Sequence, residues 1–232
     1  MSKISKRLSA AAQFVRSGAI VADIGTDHGY LPIFLAEQGK ITKAIAADIN
    51  VGPLNSAKEN IRKNNLENII DTYLTDGLNG IEKYAPTDVV ICGMGGELIA
   101  RIIEDAPFVK DSEIRLVLQP MTMIKELREY LKNGFLTIAE DIVFEDGKLY
   151  QIICAEYDGK HHDLTPAQLE IGAKNIENGR ELFGKLLYST VAKKEKIKNG
   201  LRLGGKDSAE VDALLDELYS IKEKYESAGD EI

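Results

Sequence analysis

Short apolar runs alternate with amphipathic segments from the start of the chain to about residue 160. The runs are rich in β-branched residues, which predicts strands of a sheet that is buried on both faces. The segments between them carry apolar residues one turn apart, as at Ala57 and Ile61, which predicts helices. Strands and helices in alternation predict an α/β fold with a mostly parallel sheet. Strands are predicted at residues 19–24, 43–48, 69–73, 88–92 and 115–118, and helices at residues 55–64, 97–104 and 125–131.

The pattern changes beyond the last of these helices. Residues 136–144 and 149–157 both have a strand pattern, and only Glu145-Asp146-Gly147-Lys148 separates them. This connection leaves no room for a crossover helix, so a seven-stranded sheet that ends in an antiparallel hairpin is predicted. Class I methyltransferase sheets usually end in this way, whereas nicotinamide-binding domains usually continue with another crossover.

The remainder of the chain is helical in pattern. Thr165-Pro166-Ala167-Gln168 fits a helix start, because threonine can cap, proline suits the first helical position and glutamine can reach back to the cap. Residues 181–203 and 208–225 carry apolar stripes on either side of Gly204-Gly205, which predicts an antiparallel helical hairpin or a short coiled coil. Such a pair suits a structural cap or a dimer interface as well as an RNA-binding arm. The predicted domains are residues 1–160 and 161–232.

Composition narrows the class of protein. The 232 residues are 44% hydrophobic and 28% charged, which suits one main domain with an appendage. No window is apolar enough to span a bilayer and no segment resembles a signal peptide, so a cytoplasmic protein without a membrane partner is expected. The two cysteines lie in strand-like runs and two of the three histidines are adjacent in a polar connector, so neither a disulfide framework nor a metal site is expected.

The charge of the chain restricts contact with nucleic acid to local patches. The formal net charge is -8, which argues against strong nonspecific binding over the whole surface. One basic stretch is interrupted by a single acid, Glu195, and a second, smaller cluster lies near the N-terminus. A solvated helix face is the alternative interpretation of either cluster. The stretch consists of Lys193, Lys194, Lys196, Lys198, Arg202 and Lys206, and the smaller cluster of Lys3, Lys6 and Arg7.

A turn rich in aspartate and glycine follows the first strand, in the order Asp23-Ile24-Gly25-Thr26-Asp27-His28-Gly29. The Gly-x-Gly-x-x-Gly loop that binds a pyrophosphate is absent. The carboxylates of Asp23 and Asp27 would repel a pyrophosphate but would accept hydrogen bonds from an ammonium group. S-adenosylmethionine carries such a group, and Gly25 and Gly29 would let the backbone approach it closely. The turn therefore favours S-adenosylmethionine as the cofactor.

Two further aspartates end later strands. Asp48 ends the second strand at the spacing of a ribose-binding acid, and Asp76 follows the third strand, where it could accept from an adenine amine. Either aspartate alone could be a helix cap or a turn former, but their order at successive strand ends favours the cofactor. The candidate cofactor-binding residues are Asp23, Gly25, Thr26, Gly29, Asp48, Ile49, Asp76, Gly77, Gly93, Met94 and Gly95.

The ends of the fourth and fifth strands carry the candidate chemistry. The glycines of Gly93-Met94-Gly95-Gly96-Glu97 would let the backbone lie close to a methyl donor and a flat acceptor. Met94 packs on one of these ligands or fills the core, and Glu97 caps the next helix or acts in catalysis. Cys92 is either an accessible thiol or a buried strand residue. In Gln119-Pro120-Met121, the amide could recognise a base edge or satisfy a turn.

Together these segments resemble the bacterial tRNA adenine-22 N1-methyltransferase family. The Asp27-His28 pair inside the glycine turn and the Gly-Met-Gly-Gly segment are the specific features, and the likeness is weaker in the helical tail. The resemblance implies methyl transfer from S-adenosylmethionine to N1 of an adenine in the D-arm region of tRNA, yielding S-adenosylhomocysteine. It also implies a Rossmann-like catalytic domain and a coiled-coil tRNA-binding domain. The resemblance rests on Ile4-Ser5-Lys6-Arg7-Leu8, residues 23–32, Gly52-Pro53, residues 92–96 and Leu118-Gln119-Pro120.

Methylation at N1 of adenine gives these residues roles. The N1 lone pair needs alignment more than a strong base, and a nearby carboxylate can stabilise the positive charge that develops on the ring. Asp27 is the first candidate for this role, while His28 binds the base, holds Asp27 or is structural. Tyr30 or Met94 would receive the extruded base. The candidate catalytic residues are Asp27, His28, Met94 and Gln119, and the candidate substrate-binding residues are Arg7, Tyr30, Gly96, Pro120, Lys193, Lys194, Lys196, Lys198 and Arg202.

Two other functions remain open on the sequence. The same fold could methylate another RNA, a protein or a small molecule, and a nucleoside-binding module without catalysis is the third possibility. A monomer is expected, with a dimer through the helical tail as the alternative.

Overall fold

The computed structural model describes residues 4–179 and 181–229, and the chain divides into two compact units between His162 and Asp163. The first unit contains one seven-stranded sheet, and the second is helical among its described residues. The strands are β1 (Ala19–Ile24), β2 (Ile41–Asp48), β3 (Ile70–Leu74), β4 (Asp88–Gly95), β5 (Arg115–Thr122), β6 (Asn133–Glu145) and β7 (Lys148–His161). The helices are α1 (Lys6–Phe14), α2 (Tyr30–Glu37), α3 (Val51–Lys63), α4 (Gly96–Glu104), α5 (Ile124–Leu131), α6 (Pro166–Ile171), α7 (Ala173–Asn178), α8 (Phe183–Leu203) and α9 (Ala209–Gly229).

The sheet has the strand order β3-β2-β1-β4-β5-β7-β6. Strands β1 to β5 are parallel, while β7 runs antiparallel to both β5 and β6. The predicted α/β class, with a mostly parallel sheet and a terminal antiparallel hairpin, is confirmed. The strand order reverses between β1 and β4, and ligands of such sheets bind beyond the carboxyl ends of the strands at this point.

Strand β4 is longer than the sequence pattern predicts. Gly93, Met94 and Gly95 were expected to follow the strand, but they continue it through two register shifts, and Met94 and Gly95 pair with Pro120 and Thr122 of β5. The next residue, Gly96, begins α4 against the β5–α5 connection, where a Cβ would overlap the Met123 carbonyl. The glycines thus keep two backbones in contact beside the strand ends.

Buried ion pairs hold the outer elements on the sheet. Arg16 lies just beyond α1, and both its backbone N–H and its Nε donate to the fully buried Asp88 carboxylate at 2.8 Å. In the terminal hairpin, Arg128 of α5 donates to Glu140 at 2.6 Å and to Gln151 at 2.8 Å. Burial makes such groups costly unless they are paired, and here each carboxylate has its partner.

The second unit contains a helical hairpin. Tyr188 of α8 donates to Glu226 of α9 at 2.9 Å, and Tyr219 of α9 donates to Glu195 of α8 at 2.6 Å, so the two helices run antiparallel. At its start, Thr165 forms the predicted capping box with α6. No helix within the described ranges is both long and apolar enough to cross a membrane.

Candidate active site

The carboxylate of Asp23 lies at the carboxyl end of β1, with only 5% of the residue exposed. Thr26 Oγ1 donates to its Oδ2 at 2.6 Å. Burial raises the pKa of Asp23 to about 6, with the Asp48 charge adding to the rise and the Thr26 hydrogen bond opposing it. In the described part of the chain, no lysine or arginine lies within ion-pair distance of Asp23. A cationic ligand would therefore find an ionisable, unneutralised acid at this position.

Glycine is required where the turn crosses the strand ends. Gly25 has a φ of +74°, and its N–H donates to the Ala47 carbonyl of β2 at 2.8 Å. A Cβ on Gly25 would overlap the Met94 side chain. Gly29, with a φ of +70°, precedes α2 and lies so close to α3 that a Cβ would be 3.3 Å from the Ala57 side chain. Both glycines thus keep open a narrow space above the sheet.

A cavity of about 260 Å³ opens beside this turn. Cys92, Leu8 and Leu31 complete its lining, and among the described lining residues Arg7 is the one cation. Burial, together with the Asp23 charge, raises the pKa of the Cys92 thiol, with Arg7 opposing the shift, so the thiol stays protonated at neutral pH. The cavity brings together seven residues of the predicted site, namely Arg7, Asp23, Gly25, Thr26, Asp27, Tyr30 and Gly93.

Gln119 does not line the cavity itself but accepts a hydrogen bond from Arg7, which does. The residue is fully buried, and its Oε1 accepts from Arg7 Nη1 at 2.5 Å while its Nε2 donates to the Pro120 carbonyl at 2.7 Å. Both ends of the amide are engaged within the protein. Of these two residues Arg7 lines the cavity, and a Cβ built on Gly93 would lie 3.5 Å from its Nη1.

Asp27 and Tyr30 are exposed and form the rim of the cavity, and His28 lies between them in the chain. Asp27 has a φ of +50°, unusual for a residue with a side chain, and 67% of its side chain is exposed. His28 Nε2 lies 3.5 Å from the Asp27 carboxylate, and the His28 and Tyr30 rings are 5.1 Å apart. Asn60 of α3, which the sequence interpretation missed, donates to the His28 carbonyl at 3.0 Å and holds the turn. Carboxylate and rings thus lie together at the solvent edge.

The residues predicted to bind a nucleoside are divided between two places. Asp48 is buried beside Asp23, and its Oδ1 accepts from the Asn50 N–H at 2.8 Å. The next residue, Ile49, is exposed at the end of β2. Asp76 and Gly77 line a separate, larger cleft of about 810 Å³ against the end of α4. None of the residues from the turn at Asp23 lines that cleft, so its size alone does not identify the site of the chemistry.

The basic stretch lies on α8 and just beyond it, in the second unit. Lys194 pairs with Glu170, Lys198 pairs with Asp212, and Arg202 lies 3.0 Å from the same aspartate. Lys193 and Lys196 are exposed, and no acid among the described residues lies within ion-pair distance of either. Of the smaller predicted cluster, Lys6 and Arg7 belong to α1, and Lys3 lies outside the described residues.

These features define a class of protein. The sheet is open and ends in an antiparallel hairpin, its first two strands carry buried aspartates at their carboxyl ends, and the turn after β1 lacks a phosphate loop. This combination is that of a Rossmann-like methyltransferase. Residues 4–153 match the family model of the methyltransferase domain, which agrees with the geometry.

Known proteins refine the class. A tRNA (adenine(22)-N(1))-methyltransferase of Bacillus subtilis strain 168 is 41% identical over 165 residues, 68% of this chain and 69% of the relative. A solved Bacillus subtilis m1A22 tRNA methyltransferase is 33% identical with a TM-score of 0.77, covering 97% of this chain and 98% of its own. A Streptococcus pneumoniae protein solved with S-adenosyl-L-methionine is 36% identical with a TM-score of 0.77, covering 95% and 99%. The chain belongs to the tRNA (adenine(22)-N(1))-methyltransferase family.

Proposed function

We propose that this protein transfers a methyl group from S-adenosylmethionine to N1 of adenine 22 in the D-arm region of tRNA, releasing S-adenosylhomocysteine. The observation that carries the proposal is the buried, unneutralised Asp23 beside the Gly25 turn in a chain of this family. Because the substrate is tRNA, the proposal places the enzyme in the cytoplasm.

The cavity fits the amino-acid end of S-adenosylmethionine. Asp23 would accept from the ammonium group, and Arg7 supplies a cation for the carboxylate on the same cavity wall. Arg7 is assigned to the substrate by the sequence interpretation; its place beside Asp23 supports contact with the cofactor instead. Gly25 and Gly93 leave the room that a side chain would fill. The cofactor supplies an electrophilic methyl group when bound.

Asp48 and Asp76 are proposed to hold the nucleoside end. The Asn50 N–H occupies one oxygen of Asp48 and leaves the other for ribose hydroxyls. Ile49 offers an exposed apolar face next to it, against which an adenine could pack. Asp76 would contact the exocyclic amine from the loop after β3. It lines a different cleft, so this assignment depends on the family rather than on a shared cavity.

The rim residues are proposed to act on the acceptor base. As the methyl group moves to N1, its bond to sulfur breaks, and the positive charge passes from the cofactor to the adenine ring. The exposed Asp27 carboxylate would stabilise this charge from the rim. The neighbouring His28 and Tyr30 rings offer a stacking surface for the extruded base. No residue needs to remove a proton from N1, because N1 carries none.

The second unit is proposed to contact the tRNA backbone through part of its basic stretch. Lys193 and Lys196 are exposed and unpaired among the described residues, so they can approach phosphates without breaking an ion pair. Lys194, Lys198 and Arg202 instead hold acids of their own unit. The domain roles are accordingly catalysis for residues 1–160 and tRNA binding for residues 161–232.

A single pair of substrates tests the reaction. The protein is incubated with methyl-labelled S-adenosylmethionine and a tRNA transcript that carries adenine at position 22, and the modified nucleoside is mapped. A transcript with guanine at position 22 is the matched control. We expect 1-methyladenosine at position 22 of the first transcript and no label in the second. Equal labelling of both transcripts would overturn the proposal.

A further inference from the structure

Glu145 is the last residue of β6 and is separated from Lys6 by 139 residues of sequence. In the folded chain it contacts α1, the helix that carries Arg7. Its Oε1 accepts from the backbone N–H of Lys6 at 2.6 Å, and its Oε2 lies 3.8 Å from Arg7 Nε. The side chain of Glu145 is 16% exposed. The sequence pattern identifies this residue only as part of a hairpin connection.

Three elements together fix the guanidinium of Arg7. Gln119 of β5 accepts from Nη1, Glu145 of β6 attracts Nε, and the ring of Tyr150 in β7 lies 5.5 Å from the guanidinium carbon. An arginine fork that meets a carboxylate, an amide and a ring from different directions has few alternative rotamers. Arg7 itself lines the cavity, and a Cβ built on the cavity residue Gly93 would lie 3.5 Å from its Nη1, so the guanidinium is next to the cavity wall.

The same carboxylate also completes the start of α1. Lys6 is the first residue of this helix, so its N–H has no partner within the helix. A carboxylate at a helix N-terminus is favourable, because the exposed N–H groups carry partial positive charge. The helix has other anchors: Ser5 Oγ accepts from the Leu8 N–H, and Arg16 beyond its far end binds Asp88. Loss of the Glu145 charge should therefore leave α1 in place.

We propose that Glu145 is a positioning residue that orients Arg7 for the anionic end of the cofactor and so couples the β6–β7 hairpin to the cavity. The inference rests on the proposed function, in which Arg7 binds the cofactor carboxylate. Glu145 itself does not line the cavity. Its effect on ligand binding must pass through Arg7.

A double-mutant cycle measures this dependence, with the Kd of S-adenosylmethionine from calorimetry on the full chain as the readout. Glu145→Gln keeps an acceptor for the Lys6 N–H but removes the charge that faces Arg7. We expect the Kd to rise about fivefold to tenfold in the wild-type background and to stay unchanged in the Arg7→Ala background. Asp146→Asn removes the same charge from the next residue, which is exposed, and is expected to leave the Kd as in wild type.

Two results would overturn the inference. One is a Glu145→Gln protein that binds the cofactor as tightly as wild type, and the other is an equal loss with and without Arg7. If thermal melts show that Glu145→Gln impairs folding, the cycle is repeated with Tyr150→Leu, which removes the ring beside Arg7 and leaves the Lys6 contact intact. A loss of cofactor affinity that persists in the Arg7→Ala background would again contradict the coupling. Wild-type protein that binds the cofactor but does not methylate tRNA would contradict the proposed function alone.

Discussion

The strand-end aspartates of the first unit and the basic stretch of the second unit are both clusters of like charge, but they differ in burial and in ion pairing. Asp23 and Asp48 are buried and have no cationic partner among the described residues. In the basic stretch, Lys194, Lys198 and Arg202 are neutralised by acids of their own unit. The buried aspartates lower the stability of the fold, whereas three of the basic residues form ion pairs that stabilise it.

The cost can be given a magnitude at Asp23. A rise of the pKa from 3.8 to about 6 means that the ionised carboxylate lowers the free energy of unfolding by about 3 kcal/mol. A typical exposed ion pair contributes about 0 to 1 kcal/mol in the opposite direction. An unneutralised buried charge therefore indicates a ligand far more strongly than a run of surface lysines does.

The largest effect is expected from Asp23→Asn. Loss of the charged hydrogen bond to the ammonium group should raise the Kd of S-adenosylmethionine by about a hundredfold. The same substitution should raise the free energy of unfolding of the ligand-free protein at pH 7.5, by up to about 3 kcal/mol, because the buried charge is gone. Calorimetry and thermal melts measure the two changes. A fall in both affinity and stability would show that Asp23 is structural.

Asp27→Asn should separate catalysis from cofactor binding. The Asp27 side chain is exposed on the rim, so its loss should leave the melting temperature unchanged and should raise the Kd of the cofactor far less than Asp23→Asn does. If its charge stabilises the methylated ring, kcat should fall about tenfold to a hundredfold. Single-turnover methylation of tRNA gives the rate of the chemical step. A wild-type rate would remove Asp27 from the mechanism.

Some residues of the site can be identified from the sequence pattern, and others only from the folded chain. Asp23 and Asp48 are found from the pattern because a residue that ends a parallel strand lies at the ligand edge of the sheet. Glu145 has no such signal, since it meets Lys6 across 139 residues and only the folded hairpin brings them together. The extension of β4 through Gly93 is hidden for a related reason: glycine weakens the strand pattern, and pairing with β5 overrides it.

The pH dependence of cofactor binding should carry the signature of Asp23. Burial raises its pKa to about 6, so the carboxylate that the ammonium group needs is ionised above that pH and protonated below it. The Kd should be constant above about pH 7 and should rise by up to tenfold per pH unit below about pH 6. The stability of the ligand-free protein should change in the opposite direction, because the penalty of the ionised acid builds up as the pH rises from 3.8 to about 6 and is constant above that range. Asp23→Asn should abolish this dependence, and its persistence in that variant would assign it to another group.

The smallest effect is expected from the basic stretch, where two double variants remove the same charge. Lys193→Ala with Lys196→Ala removes unpaired cations, and should weaken tRNA binding several-fold and lower the slope of log Kd against log salt by roughly one per phosphate contact. Lys194→Ala with Lys198→Ala breaks ion pairs to Glu170 and Asp212, and should lower the melting temperature with little effect on that slope. Filter binding over a salt series and thermal melts compare the two. Equal loss of tRNA affinity in both double variants would mean that the net charge of the stretch, and not the absence of ion pairs, determines tRNA binding. A missing ion-pair partner would then indicate a ligand only at the buried aspartates.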